Sequence, residues 1–307
     1  MSFPVAYAPI YVHPVPENHR FPMEKYSLLP EQLLFEGTVT ESNFFIPQPL
    51  DDELILTTHE NSYLTRLKNL ELSKAEIRAI GFPLSMPLIE REICIAGGSV
   101  QAARYAQEFG IGMNIAGGTH HAFFNRGEGF CILNDLAITA NYLLKAKLSK
   151  KILVVDLDVH QGNGTASIFA NDPSVWTLSI HGEKNFPFRK VKSDLDVGLP
   201  DGCTDEPYLE ALEEALSQLQ DRCAPDLVFY LAGADPHEGD RLGRLSLSFE
   251  GMKERDRCVL AWAQARRIPL AMAMAGGYGK QIEDTVEVQM NTFAQALAAW
   301  QGWQNHV

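Results

Sequence analysis

From about residue 110 onward, short apolar runs alternate with stretches of helical spacing, and this alternation leaves few folds open. Residues 151–155, 175–180, 227–231 and 269–275 have strand length and are apolar almost throughout, as expected for parallel strands covered on both faces. Residues 112–116 read as a further strand. Between the runs, Tyr208, Leu212, Ala215, Leu216 and Leu219 recur at helical spacing within Asp205–Arg222. Residues 250–267 and 280–300 also read as helices, with Gly251 and Gly279 near their starts. Strands alternating with helices imply right-handed crossovers, and hence a single-domain three-layer α/β/α sandwich with a mainly parallel central sheet. Pro14, Pro16, Pro22, Pro30, Pro47 and Pro49 cluster early, so residues 1–50 are expected as an irregular segment packed on one domain spanning 1–307.

Each of the four later strands runs out into polar, glycine-containing sequence at its C-terminal end. The first gives Asp156-Leu157-Asp158-Val159-His160-Gln161-Gly162-Asn163-Gly164, and the second Ser179-Ile180-His181-Gly182. The third gives Gly233-Ala234-Asp235-Pro236-His237-Glu238-Gly239-Asp240, and the fourth Gly276-Gly277-Tyr278-Gly279. Ligands of parallel α/β sheets bind outside the carboxyl ends of the strands, so these segments are expected to converge on one crevice.

If the strand persists through Asp156, Asp158 and His160, all three side chains share one face. Such a cluster after a buried run is costly unless it binds something positive, which points to a metal ion. Zinc with Asp and His ligands and an open fourth position fits hydrolysis. Asp235 is the natural third ligand, with His237 and Asp240 as rivals in the same loop. The bland alternative makes one Asp a helix cap and His160 a hydrogen-bonded core residue. The tandem His120-His121 follows Gly117-Gly118-Thr119 at another strand end. Adjacent histidines point differently, which suits one to acid–base work and the other to electrostatic support. Tyr278 offers a phenol that can donate to an oxyanion opposite a metal, with Gly277 beside it at the substrate. Gly129-Phe130 and Phe186-Pro187-Phe188 could furnish the walls of a narrow channel. There is no P-loop, no dinucleotide fingerprint and no Gly-x-Ser-x-Gly elbow.

The formal net charge is −13, which disfavours direct nucleic-acid binding and is compatible with a cationic substrate or partner. No apolar stretch reaches the roughly 20 residues of a membrane span. Met1-Ser2-Phe3-Pro4-Val5 lacks the basic start and apolar run of a secretory signal, and the five cysteines are scattered. A cytoplasmic, reducing location with free thiols is therefore expected.

Together these residues resemble the zinc-dependent histone deacetylase superfamily. The resemblance rests on Gly117-Gly118-Thr119-His120-His121-Ala122, Gly127-Glu128-Gly129-Phe130-Cys131-Ile132-Leu133-Asn134-Asp135, and residues 156–164, 232–240 and 276–278, in the family's order and at its spacing. Val159-His160-Gln161-Gly162-Asn163-Gly164 and Glu238-Gly239-Asp240-Arg241-Leu242-Gly243 look most like the class IV branch and its bacterial relatives. The resemblance implies the arginase–deacetylase fold and one zinc ion on Asp158, His160 and Asp235. It pairs Asp156 with His120 and Asn163 with His121. It also implies a structural potassium ion near Asp156, Asp158, His160, Ser179 and Ile180, partly through backbone carbonyls. Phe130 and Phe186 match channel walls, and Arg20 matches an arginine near the channel base. Asn163 departs from the Asp of many members, and a neutral amide stabilises imidazolium less than a carboxylate does.

The activity so implied is removal of an acyl group, acetyl or longer, from a lysine side chain of a peptide or protein. A small acylated amine such as an acetylpolyamine is the nearest alternative. Relatives of that kind carry a Glu seven residues after the third ligand, where this chain has Leu242. A two-manganese ureohydrolase and a non-catalytic acyl-lysine binder are the remaining alternatives.

Overall fold

The computed structural model describes residues 2–304. The N-terminal third holds strands β1 (Val5–Ala6) and β2 (Phe44–Phe45) and helices α1 (Lys25–Phe35), α2 (Asp52–Ile55), α3 (Asn61–Lys68), α4 (Lys74–Ile80) and α5 (Met86–Phe109). The middle holds β3 (Ile111–Asn114), α6 (Asp135–Lys145), β4 (Ile152–Asp156), α7 (Asn163–Phe169), β5 (Val175–Gly182) and β6 (Leu195–Leu199). The remainder is α8 (Asp205–Arg222), β7 (Leu227–Leu231), α9 (Phe249–Ala265), β8 (Leu270–Ala273) and α10 (Ile282–Gln304). The eight strands form one sheet in the order β2-β1-β3-β8-β7-β4-β5-β6, and all seven pairings are parallel. This is the expected three-layer sandwich.

Strand periodicity divides the core in two. Ile152 and Val154, Leu227, Phe229 and Leu231, and Ala271 and Ala273 face a layer supplied by α5, α6 and α7. Their alternates Leu153 and Val155, Val228 and Tyr230, and Leu270 and Met272 join the larger core, where Leu212 of α8, Leu260 of α9 and Phe293 of α10 are also buried. Two covered faces explain why these strands read as continuous apolar runs.

The first 50 residues are less irregular than expected, because β1 and β2 extend the sheet and α1 packs on α10. Two-residue strands carry no periodic signal. Helix α5 is the longest described element, and its sequence signals are confined to its ends, the Ser85 cap with Pro87 in the first turn and Gly110 at the close. Most of it is buried, so no polar face reveals its period. At its middle, a side chain on Gly97 would collide with the Gln48 carbonyl and one on Gly98 with the Tyr11 hydroxyl, so the N-terminal segment crosses against bare backbone. The edge strand β6 is likewise absent from the sequence reading, having only alternating partial burial. All five cysteines are free, and no described helix is long and apolar enough to cross a membrane.

Candidate metal and acid–base centre

The sheet positions the site. From β4 the chain moves outward through β5 and β6, then returns to place β7 on the other side of β4. The carboxyl ends of β4 and β7 therefore diverge into separate loops, with those after β8 and β3 beside them. This reversal is where α/β sheets open a crevice.

Strand β4 ends at Asp156, so the expectation that it runs on through His160 does not hold. Instead the carboxylates bend the chain: Asp158 N donates to Asp156 Oδ1 (3.2 Å) and His160 N to Asp158 Oδ1 (2.9 Å). The turn separates the roles of the three residues. Asp156 faces His120, while Asp158 and His160 meet Asp235 from the end of β7.

The donor atoms of Asp158, His160 and Asp235 lie within 4.8 Å of one another, and all three residues are buried. His160 Nδ1 stands 2.9 Å from Asp158 Oδ1 and 3.2 Å from Asp235 Oδ2. Asp235 Oδ2 is buried without a hydrogen-bond partner. Burial and the Asp158 charge push Asp235 up. Burial would lower His160, but its hydrogen bond to Asp158 and the charges of Asp158 and Asp235 outweigh that and raise it to about 10. A protonated imidazole thus supplies the positive charge that two buried carboxylates require, and a metal ion satisfies the same requirement better. Gly276 closes the cluster: its N–H donates to Asp158 Oδ2 (2.8 Å), and a side chain there would strike both carboxylates.

The tandem histidines are buried and differently partnered. His120 Nδ1 bonds Asp156 Oδ2 at 2.6 Å, and its Nε2 lies 3.9 Å from Asp158 Oδ1. Burial opposes its charge, yet Asp156 and Asp158 raise it to about 9. His121 Nδ1 bonds the neutral Asn163 Oδ1 at 2.7 Å. Burial, then the neighbouring His120 and His160 charges, drive His121 well below its usual value. Asn163 Nδ2 in turn donates to Glu128 Oε2 (3.0 Å). That carboxylate can only accept, so the amide oxygen must face His121, whose Nδ1 carries the proton and leaves Nε2 with its lone pair.

Several further residues hold this arrangement. Asp135 accepts from Gly118 N, Thr119 N and Thr119 Oγ1, which fixes the loop before the histidines. Asp240, a rival ligand at first reading, accepts from Tyr278 N (2.6 Å), Leu242 N and Gly243 N, and so ties the β7 and β8 loops together. His237, the other rival, packs its ring on Phe249 at 4.2 Å and takes no part in the cluster. Burial and the charges of Asp158 and Asp235 raise Tyr278 well above its usual value, which keeps its phenol a hydrogen donor. The buried Lys25 ammonium lies over the Tyr278 ring, 5.8 Å from its centroid, and donates to the Ala275 carbonyl.

An inner cavity of about 40 Å³ is lined by His120, His121, Asp158, His160, Gly276 and Tyr278. An outer cavity of about 750 Å³ shares His121, His160, Phe130 and Tyr278 with it and adds Phe186 and Leu242. Phe186 stands edge-on to His121 at 4.9 Å, and Phe130 lies 5.9 Å from Tyr278. Two expectations need correction. Arg20 is exposed and lines only the outer cavity, whereas the inner one holds the buried Arg91, ion-paired with Glu92. Gly277 lines neither cavity, and a side chain added there would meet Thr285 and Ala234, whereas Gly276 lines the inner one. Ser179 pairs with Asp156 in the sheet, and its hydroxyl bonds His181 Nδ1 at 3.0 Å.

Residues 19–293 match the histone deacetylase domain. The chain belongs to the histone deacetylase family. It is 47% identical over 286 residues to an uncharacterized Picosynechococcus protein, covering 93% of this chain and 95% of that one. It is 31% identical over 283 residues to histone deacetylase 2 of Arabidopsis thaliana, covering 88% and 73% of the two chains. The crystal structure of a histone deacetylase homolog from Aquifex aeolicus superposes with a TM-score of 0.83 at 24% identity, over 97% of this chain and 84% of that one. These likenesses support a hydrolytic deacetylase on the arginase–deacetylase fold.

Proposed function

We propose that the chain is a zinc-dependent lysine deacylase, a single catalytic domain over residues 1–307 that hydrolyses the amide between an acyl group, acetyl or longer, and a lysine side chain. The observation that carries this reading is the buried Asp158–His160–Asp235 cluster beside two histidines of opposite electrostatic character and one protonated phenol. Zinc held by those three residues would polarise the acyl carbonyl and ease deprotonation of the attacking water. His121 Nε2 takes the water proton and later delivers a proton to the leaving amine. His120, kept cationic by Asp156, supports the developing negative charge, and the Tyr278 hydroxyl donates to the carbonyl oxygen as it becomes an oxyanion. Phe130 and Phe186 flank the lysine's methylene stem. A potassium ion near Asp156, Ser179 and Ile180 belongs to the same proposal, supported by the register that sets Asp156 beside Ser179.

Leu242 in the outer cavity separates this reading from a polyamine deacetylase, because an apolar side chain cannot receive a distant ammonium. The test is a panel of lysine peptides bearing acetyl through fatty-acyl groups, run beside acetylpolyamines with zinc-loaded and chelated protein. Zinc-dependent release of acyl groups from the peptides is expected. Turnover of acetylpolyamines alone would replace the lysine reading, and zinc-loaded protein inert on every amide would leave a binding protein.

A further inference from the structure

The overall charge of −13 is compatible with a positively charged partner, but the mouth of the channel has the opposite sign. Arg20, Arg78, Lys184, Arg241 and Arg244 line the outer cavity, and no Asp or Glu does, although acidic residues outnumber Lys and Arg 39 to 26 over the chain. Among the described residues, only one carboxylate answers these five cations. Asp201 lies 3.1 Å from the Arg244 guanidinium and 3.8 Å from the Lys184 ammonium. Arg20, Arg78 and Arg241 form no ion pair among the described residues. A concentration of unpaired cations in a concave, partly apolar mouth attracts anions and repels cations before any contact forms.

We propose that the mouth selects acyl-lysines set among acidic residues, so that the occupant is a peptide segment carrying Asp or Glu on either side of the modified lysine. This rests on the lysine-deacylase reading and names its substrate class. The cations come from four separate chain segments: the one before α1, α4, the β5–β6 loop and the β7–α9 loop. Phe188, 86% exposed, adds an apolar ledge. Dispersed cations around a cavity of about 750 Å³ suit an extended polypeptide better than one compact anion. Arg241 links the mouth to the chemistry, since its N and Nε both donate to the Tyr278 carbonyl at 3.1 and 3.0 Å. A carboxylate docked on Arg241 therefore sits against the loop that carries the phenol. Lys- and Arg-rich segments and polyamines are disfavoured by the same charges.

The test uses zinc-loaded protein and matched acyl-lysine peptides with Asp/Glu, Ser/Gly or Lys/Arg flanks, at low and high salt. At low salt the acidic peptide should exceed the basic one in kcat/KM by at least about tenfold, and the gap should shrink as salt screens the rim. The Arg20→Glu/Arg78→Glu double variant changes exposed residues and should narrow or invert the preference. A parallel readout uses fluorescence anisotropy of the same flanks around glutamine in place of acyl-lysine, which reports docking without catalysis. Equal docking of acidic and basic peptides, or a preference untouched by the double variant, would overturn the inference. Acid-selective docking without hydrolysis of any acyl-lysine would support it and count instead against the deacylase reading.

Discussion

Asn163→Asp isolates what the neutral amide does for His121. The amide oxygen lies 2.7 Å from His121 Nδ1. A carboxylate in its place would set a full negative charge roughly 4 Å from the imidazolium centre, worth up to about 4 kcal/mol at an effective dielectric of about 20. At 1.36 kcal/mol per pH unit this corresponds to a rise of about 1 to 3 units in His121, the lower end allowing for solvent and the facing carboxylate of Glu128. The twin site shows the direction, since Asp156 helps raise His120 to about 9 while His121, beside an amide, is driven down. The base must be neutral to take a proton, and the acid limb of kcat/KM against pH reports its ionisation in the free enzyme. The Asn163→Asp variant should therefore lose activity at a higher pH than the wild type as the solution is acidified. The introduced carboxylate would also face Glu128, which now accepts from the Asn163 amide at 3.0 Å. The variant should be less stable, and adding Glu128→Gln should restore part of the loss by supplying a donor. Full pH profiles of kcat/KM on one acyl-lysine peptide, with Tm for each variant, make the measurement. An acid limb that stays put or moves down would refute the assignment of His121 as the base.

Tyr278→Phe should cost on the order of 10²-fold in kcat, as for other oxyanion donors, with KM little changed; full retained turnover would remove the phenol from the mechanism. Asp235→Asn should abolish stoichiometric zinc binding, read by elemental analysis, and chelation of the wild type should abolish hydrolysis and lower Tm, because a ligand held only by the folded state stabilises it. Leu242→Glu should raise kcat/KM for acetylpolyamines relative to a neutral acyl-lysine peptide, measured in competition; an unchanged ratio would show that this position does not face the substrate's far end.

The functional segments were legible because chemistry and fold left the same mark. A strand buried on both faces can be polar only where it ends, so the apolar runs before Asp156 and Asp235 located both the sheet and its open edge. The division of labour within residues 156–160 was not legible from spacing, because it depends on a turn built from the carboxylates themselves. The bracing groups were harder still. Asp240 and Glu128 each sit beside glycine in a loop and look like ordinary turn residues, and Asp135 looks like a first-turn helix acid, while the groups they hold lie 16 to 38 positions away. Lys25 looks like any surface lysine until α1 folds it beneath Tyr278. Elements with weak periodicity, β1, β2 and α5, were lost for a related reason: extensive burial or extreme shortness blurs the pattern that marks an element.

The bracing pattern also explains how a cluster so costly in desolvation can persist. Asp158, Asp235 and Asp240 together accept from the N–H groups of His160, Val159, Leu242, Gly243, Gly276 and Tyr278. The same carboxylates that gather positive charge thus satisfy the backbone of the loops that deliver His160 and Tyr278. Backbone N–H donors stabilise a carboxylate without neutralising it, so the loops are fixed while the demand for a cation remains. Asp235 Oδ2, 3.2 Å from His160 Nδ1 but without a hydrogen bond, is where that demand is concentrated.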